Sequence, residues 1–142
     1  VFSRHYEKHM LDRTVLCPNV EAVLKYFQHK MKVIVTNKRH HLTKAIARGL
    51  HVDKYFMEMV GADSTPYLKP DRRVIDDLLE KYNVAPQKAV IIGDGKNDIA
   101  VAKNAGILSC ACLNGLGDRK TLLKMEADFY CENLLETTTL FH

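Results

Sequence analysis

Two aspartates four residues apart, Asp94 and Asp98, follow an apolar run in Ile91-Ile92-Gly93-Asp94-Gly95-Lys96-Asn97-Asp98. In an open parallel sheet, ligands bind beyond the carboxyl ends of strands, and Asp94 sits at such an end. Two carboxylates there repel each other unless a cation or a helix N-terminus offsets them. Hard oxygen donors at this spacing suit Mg²⁺. The plainer reading is a turn with a helix-capping aspartate, because Asp, Gly and Asn are common turn residues. A second candidate is Val33-Ile34-Val35-Thr36-Asn37-Lys38, where a hydroxyl and an amide end an apolar strand and could hold a phosphate oxygen. Its plainer reading is a helix N-cap at Thr36 or Asn37. A third is Leu68-Lys69-Pro70-Asp71. A residue before proline is held extended, which could aim Lys69 at a site, though a lone surface lysine is the bland alternative.

The elements that must position these residues can be read from periodicity. Val20, Val23, Leu24 and Phe27 fall at i, i+3, i+4, i+7, the stripe of an amphipathic helix. Residues 32–36 read as a short buried strand, 42–50 as a helix ending near Gly49, and 56–61 as a second strand. Pro70 breaks the chain and Asp71 can start a helix with Val74, Ile75, Leu78, Leu79 and Tyr82 on one face. Ala89 to Gly93 is continuous and apolar, as in a strand covered on both faces. Asn97 to Ala105 is helical and stops at Gly106, a good residue for the position after a helix end. Strand, helix and strand follow at 107–113, 118–125 and 128–130, with a last helical turn at Leu134-Leu135. Residues 1–11 read as the end of a helix and Cys17-Pro18-Asn19 as a breaker. Strands alternating with helices of about ten residues make an α/β fold with a parallel sheet.

Composition narrows the function classes. The chain has 142 residues, of which 46% are hydrophobic and 27% charged, as in one globular domain of ordinary make-up. No apolar run approaches the roughly 20 residues of a membrane span, and without a basic stretch followed by an apolar one at its start a secretory signal is not expected. Residues 1–50 hold 10 Lys+Arg against 3 Asp+Glu, and five of the seven histidines. A basic segment can meet nucleic acid or an anionic substrate. The interleaved aromatic and basic pattern of single-strand binders is missing, however, so solvated helix faces are expected and neither nucleic acid nor membrane is a partner. Lys38-Arg39-His40-His41 could steer an anion, with a solvated helix start as the plainer reading. Cys110 and Cys112 lie two apart in an apolar stretch, on one face of a strand. Core thiols are expected there rather than a metal or redox pair, which fits a cytoplasmic protein.

The order of the three candidates adds what none carries alone. A strand ending in Thr36-Asn37, then Lys69-Pro70 before a helix, then strand-Gly-Asp-Gly-x-Asn-Asp-helix-Ala-Gly resembles the haloacid dehalogenase superfamily of phosphatases. VIVTNK, DSTPYLKPD and IIGDGKNDIAVAKNAG look most like its phosphoglycolate phosphatase group, over residues 1 to about 135. The resemblance implies a three-layer, doubly wound parallel sheet. Residues 1–18 would end a helical cap and return to the core, and 19–142 would be the partial core. It further implies that Thr36 and the Asn37 backbone bind the transferring phosphoryl group and that Lys69 neutralises charge on nucleophile and phosphoryl oxygens. Asp94 would ligate Mg²⁺ directly, and Asp98 directly or through water. The substrate would be a small phosphorylated metabolite. Such chemistry is mostly positioning and charge stabilisation.

One departure is severe. The family's nucleophile is the first aspartate of a D-x-D motif on the first core strand. The aspartates here stand at 12, 53, 63, 71, 76, 77, 94, 98, 118 and 128, and no two are separated by one residue. The resemblance also places that strand between the strands ending at Thr36 and Gly93, so its loss leaves backbone groups to be satisfied. Three explanations stand: a C-terminal piece of a longer enzyme beginning within its cap, a folded but inactive remnant that binds phosphate or metal or acts as an interaction module, and a strand supplied by another copy or partner. The isolated chain is expected to be inactive.

Overall fold

The computed structural model describes residues 19–115 and 117–141. The readings for residues 1–18, including Cys17 and the cap segment, lie outside the described residues. The chain divides into two compact units, one up to Pro66 together with Thr137 onward, the other Tyr67–Glu136.

In the first unit the amphipathic stretch forms α1, Val20–Tyr26, with Val23 and Leu24 buried. Strand β1 is Val33–Val35 and strand β2 is Glu58–Val60, joined through α2, His40–Gly49. They run parallel with Ile34 opposite Met59, the pairing that a helical crossover permits. Leu24, Ala47 and Val52 form the core, with Val20, Leu50, Tyr55, Phe56 and Met59 packed around it. The last helical turn, α6, Thr137–Leu140, returns to pack against α1.

The second unit carries α3, Arg73–Lys81, strand β3, Val90–Gly93, α4, Lys96–Ala105, strand β4, Leu108–Cys112, α5, Arg119–Lys124, and strand β5, Phe129–Cys131. The three strands form a parallel ladder in the order β3-β4-β5. Ile99, Ala111, Leu113 and Leu122 make its core, flanked by Met125, Ala127 and Tyr130. The Tyr130 hydroxyl accepts from Ala127 N at 3.0 Å and donates to Leu122 O at 3.2 Å. It thereby ties the end of α5 to β5. Gly106, at φ 74°, ends α4 as its sequence position suggests.

One expectation is corrected. Ala89 to Gly93 reads as a strand covered on both faces, yet Val90–Gly93 is only half-buried along its length. In the neighbouring β4, by contrast, every residue from Ser109 to Cys112 is buried. Within the described residues β4 has a strand on each side, whereas β3 pairs with β4 alone and β1 with β2 alone. Within the described residues the second unit's ladder thus has β3 at one end. A one-sided ladder leaves apolar side chains and backbone groups accessible that a second neighbour would cover. No helix among the described residues is long and apolar enough to cross a membrane.

Candidate functional site

The chain leaves β3 at Gly93 and enters α4 at Lys96, so Asp94 occupies the strand's carboxyl end and Asp98 the first turn of the helix. Asp98 accepts from Gly95 N through Oδ2 at 3.2 Å, while its own amide donates to Gly95 O at 3.1 Å. This reciprocal pair closes the helix start. The capping reading of Asp98 therefore holds, but it is incomplete, because Oδ1 of the same carboxylate accepts from Lys69 Nζ. The two side chains are only 10% and 14% exposed. Lys69 is thus no surface lysine. It pairs with the Asp98 carboxylate, and at such depth the pair acts far more strongly than in water.

The loop that presents Lys69 is braced on both sides. The Lys69-Pro70 peptide is cis. Asn104, on α4, donates to Pro70 O at 2.8 Å, and Asp71 N donates to Leu68 O at 2.8 Å. Beyond the proline, the Arg73 guanidinium donates to Asp71 at 2.7 Å and lies 4.1 Å from the centre of the Tyr67 ring. The Asp71 carboxylate also accepts from Arg73 N at 3.0 Å, capping α3. Donation from the Arg73 side chain, then from its amide, holds the Asp71 carboxyl down to about 2. Because this value lies below the unfolded carboxylate's, the brace contributes fully above about pH 4 and is lost as pH falls toward 2. In a carboxyl NMR titration, Asp71 is expected to give a midpoint near 2 that Arg73→Ala raises toward the ordinary value. An Asp71 midpoint near 4 in the unchanged chain would remove the brace.

Asp94 is enclosed by a glycine loop that periodicity does not reveal. A Cβ on Gly115 would lie 2.3 Å from Asp94 Cβ, and one on Gly117 would lie 1.8 Å from Asp94 O. Gly93 is equally constrained, since its Cβ would lie 2.2 Å from Asp98 Oδ2. Three glycines therefore let backbone approach the two carboxylate residues where any side chain would displace them. Gly-Leu-Gly at 115–117 was the available signal.

Thr36 and Asn37 lie in the first unit, and Lys69, Asp94 and Asp98 in the second. Thr36 N donates to Val60 O at 2.9 Å, which extends the ladder by one residue, and Thr36 Oγ1 accepts from Lys38 N at 3.2 Å. Neither Thr36 nor Asn37 caps α2. That role belongs to Asp63, whose Oδ1 accepts from His40 N at 2.8 Å. This bond holds the Asp63 carboxyl below its ordinary value. The loop after β2 reaches the loop after β1 closely: Ala62 N donates to Lys38 O at 2.7 Å, and a Cβ on Gly61 would meet His40 N at 2.4 Å. Asp63 and Gly61 support the Thr36 turn and were missed, because a cap supplied from 23 residues away leaves no local pattern.

β1 followed by Thr36, then the braced Lys69, then Asp94 and Asp98 after β3 is the motif order of one superfamily of hydrolases. The haloacid dehalogenase-like hydrolase family model matches residues 1–112, and the chain belongs to that family. It is 29% identical over 136 residues to the phosphoglycolate phosphatase of Vibrio cholerae, covering 94% of this chain and 60% of that protein. It is 33% identical over 123 residues to the Vibrio parahaemolyticus phosphoglycolate phosphatase, covering 85% and 54%. The haloacid dehalogenase-like hydrolase structure from Streptococcus pneumoniae superposes with a TM-score of 0.79 at 28% identity, covering 88% of this chain and 59% of that one. The chain thus spans between half and two thirds of the length of these relatives.

Proposed function

We propose that this chain supplies the charge-stabilising part of a Mg²⁺-dependent phosphatase for small phosphorylated metabolites, with phosphoglycolate as the leading substrate. The observation that carries this reading is the shielded Lys69–Asp98 pair beside Asp94 at the end of β3. A lysine and hard oxygen donors are what a transferring phosphoryl group requires. In this reading Lys69 neutralises the phosphoryl oxygens, and Thr36 with the Asn37 backbone binds them. Asp94 is the direct Mg²⁺ ligand. Both Asp98 oxygens already accept protein hydrogen bonds, which favours its acting through water.

The donor set fits such an ion. Among the described residues no group of three His, Cys, Asp or Glu side chains could hold a metal. Mg²⁺, however, is commonly held by one or two carboxylates and completes its shell with water and substrate phosphate. Bound there, it would supply charge neutralisation to the phosphoryl oxygens. The nucleophile is not in this chain, because no D-x-D occurs. An upstream segment or another copy would bring it on a further strand, and the isolated chain is inactive.

The test is hydrolysis of small phosphomonoesters, phosphoglycolate included, by the chain alone and by the chain co-folded with an apolar strand ending in D-x-D. Mg²⁺-dependent turnover only in the second case is the expected result. Absence of turnover in both, with heat on titrating Mg²⁺ and phosphate, would replace this reading with a non-catalytic binding module.

A further inference from the structure

Three cysteines meet in the second unit, and the proposed reaction uses none of them. Cys110 and Cys112 stand on one face of β4, and Cys131 ends β5. In the parallel register Cys112 lies directly opposite Cys131, whereas Cys110 faces Phe129. Cys112 Sγ and Cys131 Sγ are 3.1 Å apart, inside the contact distance of two sulfur atoms that only pack. Neighbouring strands run about 4.8 Å apart, which falls within the Cα separation a disulfide spans.

We infer that Cys112 and Cys131 are a latent redox pair that closes to a cross-strand disulfide when the protein meets a small-molecule disulfide oxidant such as oxidised glutathione. The step balances by two exchanges. The Cys112 thiolate attacks one sulfur of the oxidant, whose S–S bond breaks and releases one glutathione thiolate. The Cys131 thiolate then attacks Cys112 Sγ, which forms the protein disulfide and releases the second. Two protein thiols lose two protons and two electrons, and the oxidant becomes two thiols.

The surroundings set the order and the pace. Cys110 is 0% exposed, Cys131 1% and Cys112 8%, so Cys112 is the thiol that an oxidant reaches first. Burial, above all, pushes the Cys112 thiol well up, and Cys110 up to about 12. Little of the attacking Cys112 thiolate therefore forms, and closure is slow at neutral pH. Access comes through β5, a three-residue strand that among the described residues pairs on one side only, the kind of element that opens locally without global unfolding. The bond would fix the end of β4, three residues before Gly115 and the loop that encloses Asp94.

The experiment equilibrates the full chain, carrying Cys17→Ser, in glutathione buffers from reducing to strongly oxidising. It then quenches in acid, counts thiols under denaturing conditions and maps linked peptides. The expected result is loss of two of the three thiols with a Cys112–Cys131 peptide link, retained in Cys110→Ser. A link between Cys110 and Cys131, glutathione adducts without an internal bond, or three free thiols at the oxidising limit would each overturn the inference. Mapping of the otherwise unaltered chain decides the matter even if Cys110→Ser does not fold.

Discussion

Replacing Asp98 with alanine is expected to lower the unfolding free energy by about 3 kcal/mol, the cost of removing one partner from a shielded ion pair. Two losses combine. Lys69, whose side chain is 10% exposed, would lose the carboxylate it pairs with. Gly95 N would also lose its acceptor at the start of α4, which is worth about 1 kcal/mol at a typical helix start. The signature that separates an ion pair from generic packing is the second substitution. Lys69→Met in the Asp98→Ala background removes the lysine charge and keeps an unbranched chain of similar length. Exchange of a buried pair for apolar groups is near neutral, so the double variant is expected to recover most of the loss. Urea unfolding of the four proteins closes the cycle. If Asp98→Ala costs less than about 1 kcal/mol, or if Lys69→Met adds to the loss, the pair does not hold this turn.

The difference between what the sequence discloses and what it hides follows from the range of the interactions. Helices and strands are legible because burial imposes a period. Val20, Val23, Leu24 and Phe27 announce α1, and Val90 to Gly93 announces β3. Gly106 after α4 is legible for the same local reason. Of the candidate site, Asp94, Asp98 and Lys69 were found by residue type and motif order. Their real relation, a carboxylate that both caps a helix and pairs with a lysine 29 residues away, is tertiary. The support is tertiary too. Asn104 holds Pro70 across 34 residues, Asp63 caps α2 across 23, and Gly115 and Gly117 make room for Asp94 across more than 20. The half-exposure of β3 was also hidden, because an apolar run reports what a strand is suited to contact and not whether a neighbour lies on both sides. The Cys112–Cys131 approach needed the register of two parallel strands, and no spacing of cysteines along the chain states it.

In the strand-complemented protein, Asp94→Asn is expected to reduce Mg²⁺-dependent phosphomonoester hydrolysis by at least about a hundredfold, the scale on which one preorganised electrostatic contact acts in a transition state. The substitution is nearly isosteric, so the Gly115 and Gly117 contacts around residue 94 persist and the fold should not change. What changes is charge: an amide is a neutral donor to a hard cation, and Mg²⁺ binds through carboxylates. Mg²⁺-induced thermal stabilisation should therefore shrink together with turnover, because a ligand stabilises only in proportion to its occupancy of the folded state. Asp118→Asn is the matched control. Asp118 is an exposed helix cap whose Oδ2 accepts from Thr121 N at 3.2 Å, and its loss of charge should leave the Mg²⁺ response unchanged. If Asp94→Asn retains the Mg²⁺ stabilisation of the unchanged protein, Asp94 is not the ligand. A loss of turnover with that stabilisation intact would assign Asp94 a part in orienting the substrate instead.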